Sequence, residues 1–161
     1  MPDVLVKLYS LPPAGPHIER LQQKGIAIRR ALAPERHIVA DWVTKTFGAP
    51  NWGSECEVAF SRSPVSCMLA LEGREIVGFY CYEATLKGFA GPAGVAESHR
   101  RQGIFKALTL VVMHAMAAEG YGYAVLGRVN PNSLAATRSV VDAEIIPGSD
   151  PGIYEGMLRS R

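Results

Sequence analysis

The run Val95-Ala-Glu-Ser-His-Arg-Arg-Gln-Gly-Ile-Phe-Lys-Ala-Leu108 carries two adjacent arginines and a glycine in a turn that leads from an apolar extended segment into an amphipathic helix. The first turn of a helix has backbone N–H groups without intrahelical partners and sits at the positive end of the helix dipole. Arginine and glycine at that end suit a phosphate or pyrophosphate. The candidate anion ligands are therefore Arg100, Arg101, Gln102, Gly103, Ile104, Phe105 and Lys106.

The rest of the chain limits what that anion site can serve. A length of 161 residues, about half of them apolar, fits one domain with a sizeable core. A formal charge of +2 with a 20% charged fraction provides no basic field for nucleic acid, so DNA and RNA are not expected partners. Cys56, Cys67 and Cys81 form no Cys-x-x-Cys pair and are odd in number, which points to reduced thiols and a cytoplasmic location. The N-terminus lacks a charged segment followed by a long apolar one, and no run reaches the ~18 apolar residues of a membrane span. His17, His37, His99 and His114 have no metal-ligand spacing, and no metal is expected.

Periodicity supplies the elements that must position the turn. Asp3 to Leu11 alternates as a short strand and is broken by the Pro12–Pro16 run; His17 to Lys24 reads as a helix. Ile26 to Ala31 is extended, and a helical pattern follows Pro34 through Ile38, Val39, Trp42, Val43 and Phe47. Gly48 to Gly53 reads as a loop and Glu57 to Ser61 as extended. Ser66–Glu72 and Ile76–Glu83 form a hairpin about Gly73, with Val77, Phe79, Cys81 and Glu83 on one face and Tyr80 and Tyr82 on the other. Gly88 to Val95 is a glycine-rich strand, Arg101 to Glu119 a core-facing helix, and Tyr123 to Val129 a further strand. Asn132 to Val141 is a polar helix, and Ala143–Ile146 with Ile153–Leu158 make a closing pair of strands. The fold class is a mixed α/β sheet with a hairpin at its centre and helices on both faces.

From about Ile26 onward the chain resembles the GNAT superfamily of N-acetyltransferases. The most specific mark is the pyrophosphate motif at the start of the family's third helix, seen here as Arg100-Arg-Gln-Gly103-Ile-Phe105. Supporting marks are Ile28-Arg29, Glu72-Gly-Arg-Glu-Ile-Val-Gly78 and Val129-Asn-Pro-Asn132-Ser-Leu-Ala135. The resemblance implies a mostly antiparallel central sheet whose fourth and fifth strands splay apart, acetyl-CoA as cosubstrate and an amine-bearing acceptor attacking in a ternary complex. It divides the chain into an extension, residues 1–25, and an acetyltransferase domain, residues 26–161; the extension adds an edge strand and a helix or covers part of the cleft. Homodimers are common in the family.

Carried onto this chain, the resemblance assigns Ala93, Gly94 and Val95 to the pantetheine arm, with Gly94 leaving the approach free of a side chain, and Asn132 to the cofactor side. Two departures stand out. Phe105 replaces a small residue of the motif, and its ring either joins the buried helix face or obstructs the site. The helix after the fifth strand has no tyrosine in its Thr137-Arg-Ser139 window, which leaves Ser139 and Tyr154 as candidate donors to the departing sulfur. Glu83 is the first candidate base, ahead of Glu97. Glu55 and Glu57 are candidates for contact with a cationic acceptor, and Trp42, Trp52, Tyr80 and Tyr82 are either core or acceptor-pocket walls. The competing reading is an acyl-CoA-binding or partner-binding module with the same fold and little turnover.

Overall fold

The protein is described by a computed structural model that covers residues 1–159. Strands β1 (Val4–Lys7), β2 (Ile26–Arg30), β3 (Cys67–Glu72), β4 (Glu75–Tyr82), β5 (Phe89–Val95), β6 (Tyr123–Leu126) and β7 (Ala143–Ile145) form one sheet in the order β2-β3-β4-β5-β6-β1-β7. All neighbours are antiparallel except β5 and β6. Helices α1 (Gly15–Gln23), α2 (Arg36–Phe47), α3 (Pro50–Phe60), α4 (Ile104–Ala118) and α5 (Pro131–Arg138) complete it. The mixed α/β class and the central hairpin expected from the sequence are both present.

Two apolar layers flank the sheet. On one side Leu108, Val112 and Met116 of α4 and Leu21 of α1 meet Tyr80, Tyr82, Val4 and Val6, all buried. On the other, Val39 and Val43 of α2 and Cys56, Ala59 and Phe60 of α3 cover Leu69, Phe79 and Cys81. Gly78 is the close-approach point of α4 on β4, since a β-carbon there would lie 3.0 Å from Ile104 and 3.2 Å from Leu108.

Three local expectations are corrected. Pro50 opens α3 at its first turn, and Gly53, Cys56, Ala59 and Phe60 bury one helical face, so Glu57–Ser61 is not extended. A bulge makes Val77 the extra residue of β4, because Leu71 pairs with Ile76 and Ala70 with Gly78. Val77 thereby joins the face of Tyr80 and Tyr82 instead of that of Phe79 and Cys81. Finally, Ile153 lies in a short 3-10 turn, Gly152–Tyr154, and residues 155–159 form no strand. The partner of β7 is β1, an interior strand with Val4 paired to both Leu126 and Ile145. The N-terminal strand is thus part of the sheet between β6 and β7, not an added edge.

Candidate active site

The sheet opens where its parallel pair, β5 and β6, ends. β5 and β6 share just Phe89↔Val125 and Ala90↔Leu126, after which β5 runs on to Val95 and β6 ends. A second bulge lies there: Tyr82 pairs with Ala90 and Tyr80 with Ala93, so Gly91 and Pro92 together oppose Cys81. Gly91 has φ +120, a conformation that glycine adopts readily, and Pro92 brings no N–H to the ladder. Across the gap, the Asn130 side chain accepts the Ser133 N–H at 2.8 Å and Pro131 starts α5. Two clefts that share Trp52, Ala93, Phe105, Asn130 and Ser133 occupy this opening.

The first cleft, about 670 Å³, lies at the N-terminus of α4. Arg101 and Gly103 both hold left-handed backbone, at φ +63 and +88, which turns the chain into the helix. The N–H groups of Ile104, Phe105 and Lys106 belong to the helix's first turn and have no intrahelical acceptor. On the opposite wall, Ala96 donates to the Val77 carbonyl at 2.8 Å, so Gly78↔Val95 is a non-hydrogen-bonded pair and the Val95 N–H and C=O face away from β4. The Val95 carbonyl accepts Arg100 Nε at 3.2 Å, which leaves its N–H as the strand's donor toward the opening.

Every residue expected on the cofactor side lines this cleft except Gln102, whose carbonyl accepts Lys24 Nζ of the α1–β2 turn at 3.3 Å. Gly94 lines it for a reason the sequence does not suggest. A β-carbon at Gly94 would sit 2.5–2.7 Å from the Phe47 ring, so the glycine makes room for that ring and not for a ligand. Gly94→Ala is accordingly expected to cost about 1–3 kcal/mol by overpacking, read as a lower urea midpoint with an unchanged m-value. The half-buried Phe105 ring packs at 5.9 Å and 27° on Tyr80, forming the wall common to both clefts while its N–H stays in the helix's first turn.

The second cleft, about 560 Å³, continues past Phe105. Glu55 of α3 enters it half-buried, with one carboxylate oxygen accepting the Thr85 hydroxyl at 2.5 Å. Burial raises the Glu55 carboxyl above its ordinary value, with the Thr85 bond opposing the shift. Tyr154 enters from the C-terminal turn, and its hydroxyl lies against Gly127, where no β-carbon fits. Burial first, then the charges of Asp3 and Glu55, push the Tyr154 phenol up to about 12 despite Arg128, so it is protonated at neutral pH. The Ser133 hydroxyl lines both clefts and has no hydrogen-bond partner among the described residues.

Other expected groups lie elsewhere. The Glu83 carboxylate accepts the Gly88 N–H at 2.5 Å and the Tyr121 hydroxyl at 3.0 Å, closing the β4–β5 turn, and lines neither cleft. Ser139 is exposed and donates to the Ala136 carbonyl at 2.6 Å, outside the opening. Glu57 is exposed, 3.9 Å from Arg36. Of the aromatic residues, Trp52 and Tyr80 line the opening, while Tyr82 is core and Trp42 packs edge-on against Phe47 and Phe79. Sequence reasoning missed Thr85, Asn130, Arg128 and Ser133; the Asn-Pro-x-Ser capping pattern was the available signal for Asn130 and Ser133. Among the described residues there is no group of three or more His, Cys, Asp or Glu that could hold a metal, and no helix long and apolar enough to cross a membrane.

The β5-α4-β6 unit is a parallel crossover that opens at the strands' C-terminal ends, with the helix N-terminus facing the gap, the place where α/β sheets hold ligands. Residues 28–138 match the family model described as Acetyltransferase (GNAT) family, and the chain belongs to that family. A solved structure described as a GCN5-related glucosamine N-acetyltransferase region in a fungal multi-domain GH3 beta-N-acetylglucosaminidase superposes with a TM-score of 0.72 at 12% identity. That match covers 90% of this chain and 19% of the fungal one. A GCN5-related N-acetyltransferase from Sphaerobacter thermophilus gives 0.63 at 20% identity, covering 89% and 48% of the two chains. A putative acetyltransferase from Pyrococcus horikoshii gives 0.56 at 17%, covering 72% and 42%. The chain therefore spans less than half the length of each of these structures, and they share its fold. No curated protein sequence matches.

Proposed function

We propose that the protein transfers an acetyl group from acetyl-CoA to a primary amine in a ternary complex. The observation that carries this reading is the continuity of the two clefts through the β5–β6 opening, with anion donors in one and a raised carboxyl in the other. The residues present fit the carrier. The first-turn N–H groups of α4 with Arg101 and Lys106 suit a pyrophosphate, and the β5 edge at Ala93, on the same cleft, suits an amide arm laid along the strand. Acetyl-CoA supplies the activated thioester, whose thiolate is an intrinsically good leaving group.

Glu55 takes the catalytic role expected of Glu83. Its carboxylate attracts the ammonium form of the acceptor into the second cleft and accepts the proton that the amine must lose. The Val95 N–H stabilises the negative charge that develops on the thioester oxygen. Tyr154, protonated at neutral pH, donates a hydrogen bond to the departing sulfur; Ser133 is the second hydroxyl within the same opening. Tyr154→Phe is expected to lower kcat about 10-fold with little change in KM for acetyl-CoA, measured by thiol release. An unchanged kcat removes Tyr154 from the mechanism.

The test is a thiol-release assay with acetyl-CoA and a panel of primary amines, with acetylated product identified by mass. Amine-dependent thiol release with matching product supports the reading. Acetyl-CoA binding without amine-dependent release supports instead a binding module with the same fold.

A further inference from the structure

Arg128 is an exposed cation on the wall of the second cleft whose backbone is held in place from several sides. It follows Gly127 just past the end of β6 and holds left-handed backbone at φ +50, which residues with a β-carbon seldom adopt. Such a conformation persists where surrounding structure over-determines it, and it gathers at functional sites.

The surroundings here do so from three sides. The Arg128 N–H donates to the carboxylate of buried Asp3 at 3.0 Å, and the Asp3 N–H donates in turn to Ser149 Oγ at 2.8 Å. The next residue, Val129, donates to the Pro2 carbonyl at 2.9 Å, so the start of β1 clamps the loop. The guanidinium lies over the Tyr154 ring, 5.4 Å from its centroid. Yet among the described residues no carboxylate lies within 4 Å of that guanidinium and no acceptor hydrogen-bonds to it. Among the described residues, Glu55 is the only carboxylate that lines the same cleft and Arg128 the only guanidinium.

We propose that the acceptor is an amine that also carries an anionic group, a carboxylate or a phosphate, and that Arg128 binds that group while Glu55 receives the amine. The inference rests on the acetyltransferase reading above and adds the acceptor's second charge. A guanidinium pre-oriented by its backbone and by the Tyr154 ring presents a planar pair of donors, which matches both oxyanions.

The test compares acceptors in pairs that differ only in the anion: the twenty common L-amino acids against their amides, and glucosamine 6-phosphate against glucosamine. The two sets separate a carboxylate from a phosphate. The expected result is a higher kcat/KM for the anionic members of one set, lowered about 10- to 100-fold through KM in Arg128→Gln and partly restored in Arg128→Lys. The uncharged partners lose markedly less than the anionic ones. Equal losses on both members of a pair would show that Arg128 only positions Tyr154 and overturn the inference, as would uncharged acceptors preferred by the wild type, with the acetyltransferase reading intact. Binding of acetyl-CoA with no turnover of any acceptor overturns that reading and the inference together.

Discussion

Glu55→Gln is expected to lower kcat for amine acetylation about 100-fold or more while acetyl-CoA affinity stays within about twofold. The carboxylate is in the acceptor cleft, not at the α4 N-terminus, so its loss removes proton acceptance without touching the anion donors. The pH profile identifies the role. In wild type, activity rises with pH as the raised Glu55 carboxyl ionises, and that limb disappears in the variant. A variant that keeps both kcat and the limb would remove Glu55 from the chemistry.

The same substitution has a stability consequence of opposite sign. Because burial raises the Glu55 carboxyl in the fold, the folded protein retains this proton at pH values where the unfolded chain, at about 4.5, has released it. The neutral carboxyl's contribution is complete below that value and is lost as pH rises through the folded one. Once the group ionises, the fold carries a partly desolvated carboxylate, which glutamine replaces with a neutral group able to keep the Thr85 bond. Tm of Glu55→Gln should match wild type near pH 4 and gain on it as pH rises. Higher stability with lower activity is the pattern of a group placed for function.

Gly103→Glu is expected to weaken acetyl-CoA binding about 100-fold or more. The glycine precedes α4 at φ +88, where a β-carbon is strained, and the added carboxylate would face the site meant for a pyrophosphate. Gly103→Ala separates the two effects. Nothing lies within 4 Å of the β-carbon position, so alanine meets only the backbone penalty of about 1–2 kcal/mol and should retain most of the binding. Parallel titrations of the two variants, each checked for native circular dichroism, read the difference. Equal affinity in Gly103→Glu and wild type would place the anion elsewhere.

How far these sites are legible in the sequence depends on whether chemistry or geometry carries the signal. The α4 turn is local: arginines, glycine and apolar periodicity lie within a few residues, and the fold brings them together as their spacing implies. The α3 helix was hidden by Gly48, Pro50 and Gly53, which read as a loop although Pro50 is a first-turn proline and Gly53 serves the α2–α3 contact at Thr44. The Val77 bulge moves one residue between faces, and strict alternation cannot report it. Glu83 and Glu55 look alike as isolated carboxylates. What separates them is that the β4–β5 turn consumes both oxygens of one and α3 aims the other into a cleft. Arg128 depends on β1 reaching between β6 and β7 to bring Asp3 beneath it, a contact across 125 positions that no local pattern contains.

The α4 turn and the end of β5 form the proposed acetyl-CoA site. The most direct measurement is an amide NMR titration of assigned wild-type protein with acetyl-CoA. Saturable shifts are expected that are largest at Val95 and Gly103 to Lys106, extend to Asn132, and are absent in Gly103→Glu. Saturable shifts centred away from these residues, or none at millimolar acetyl-CoA, would contradict that assignment.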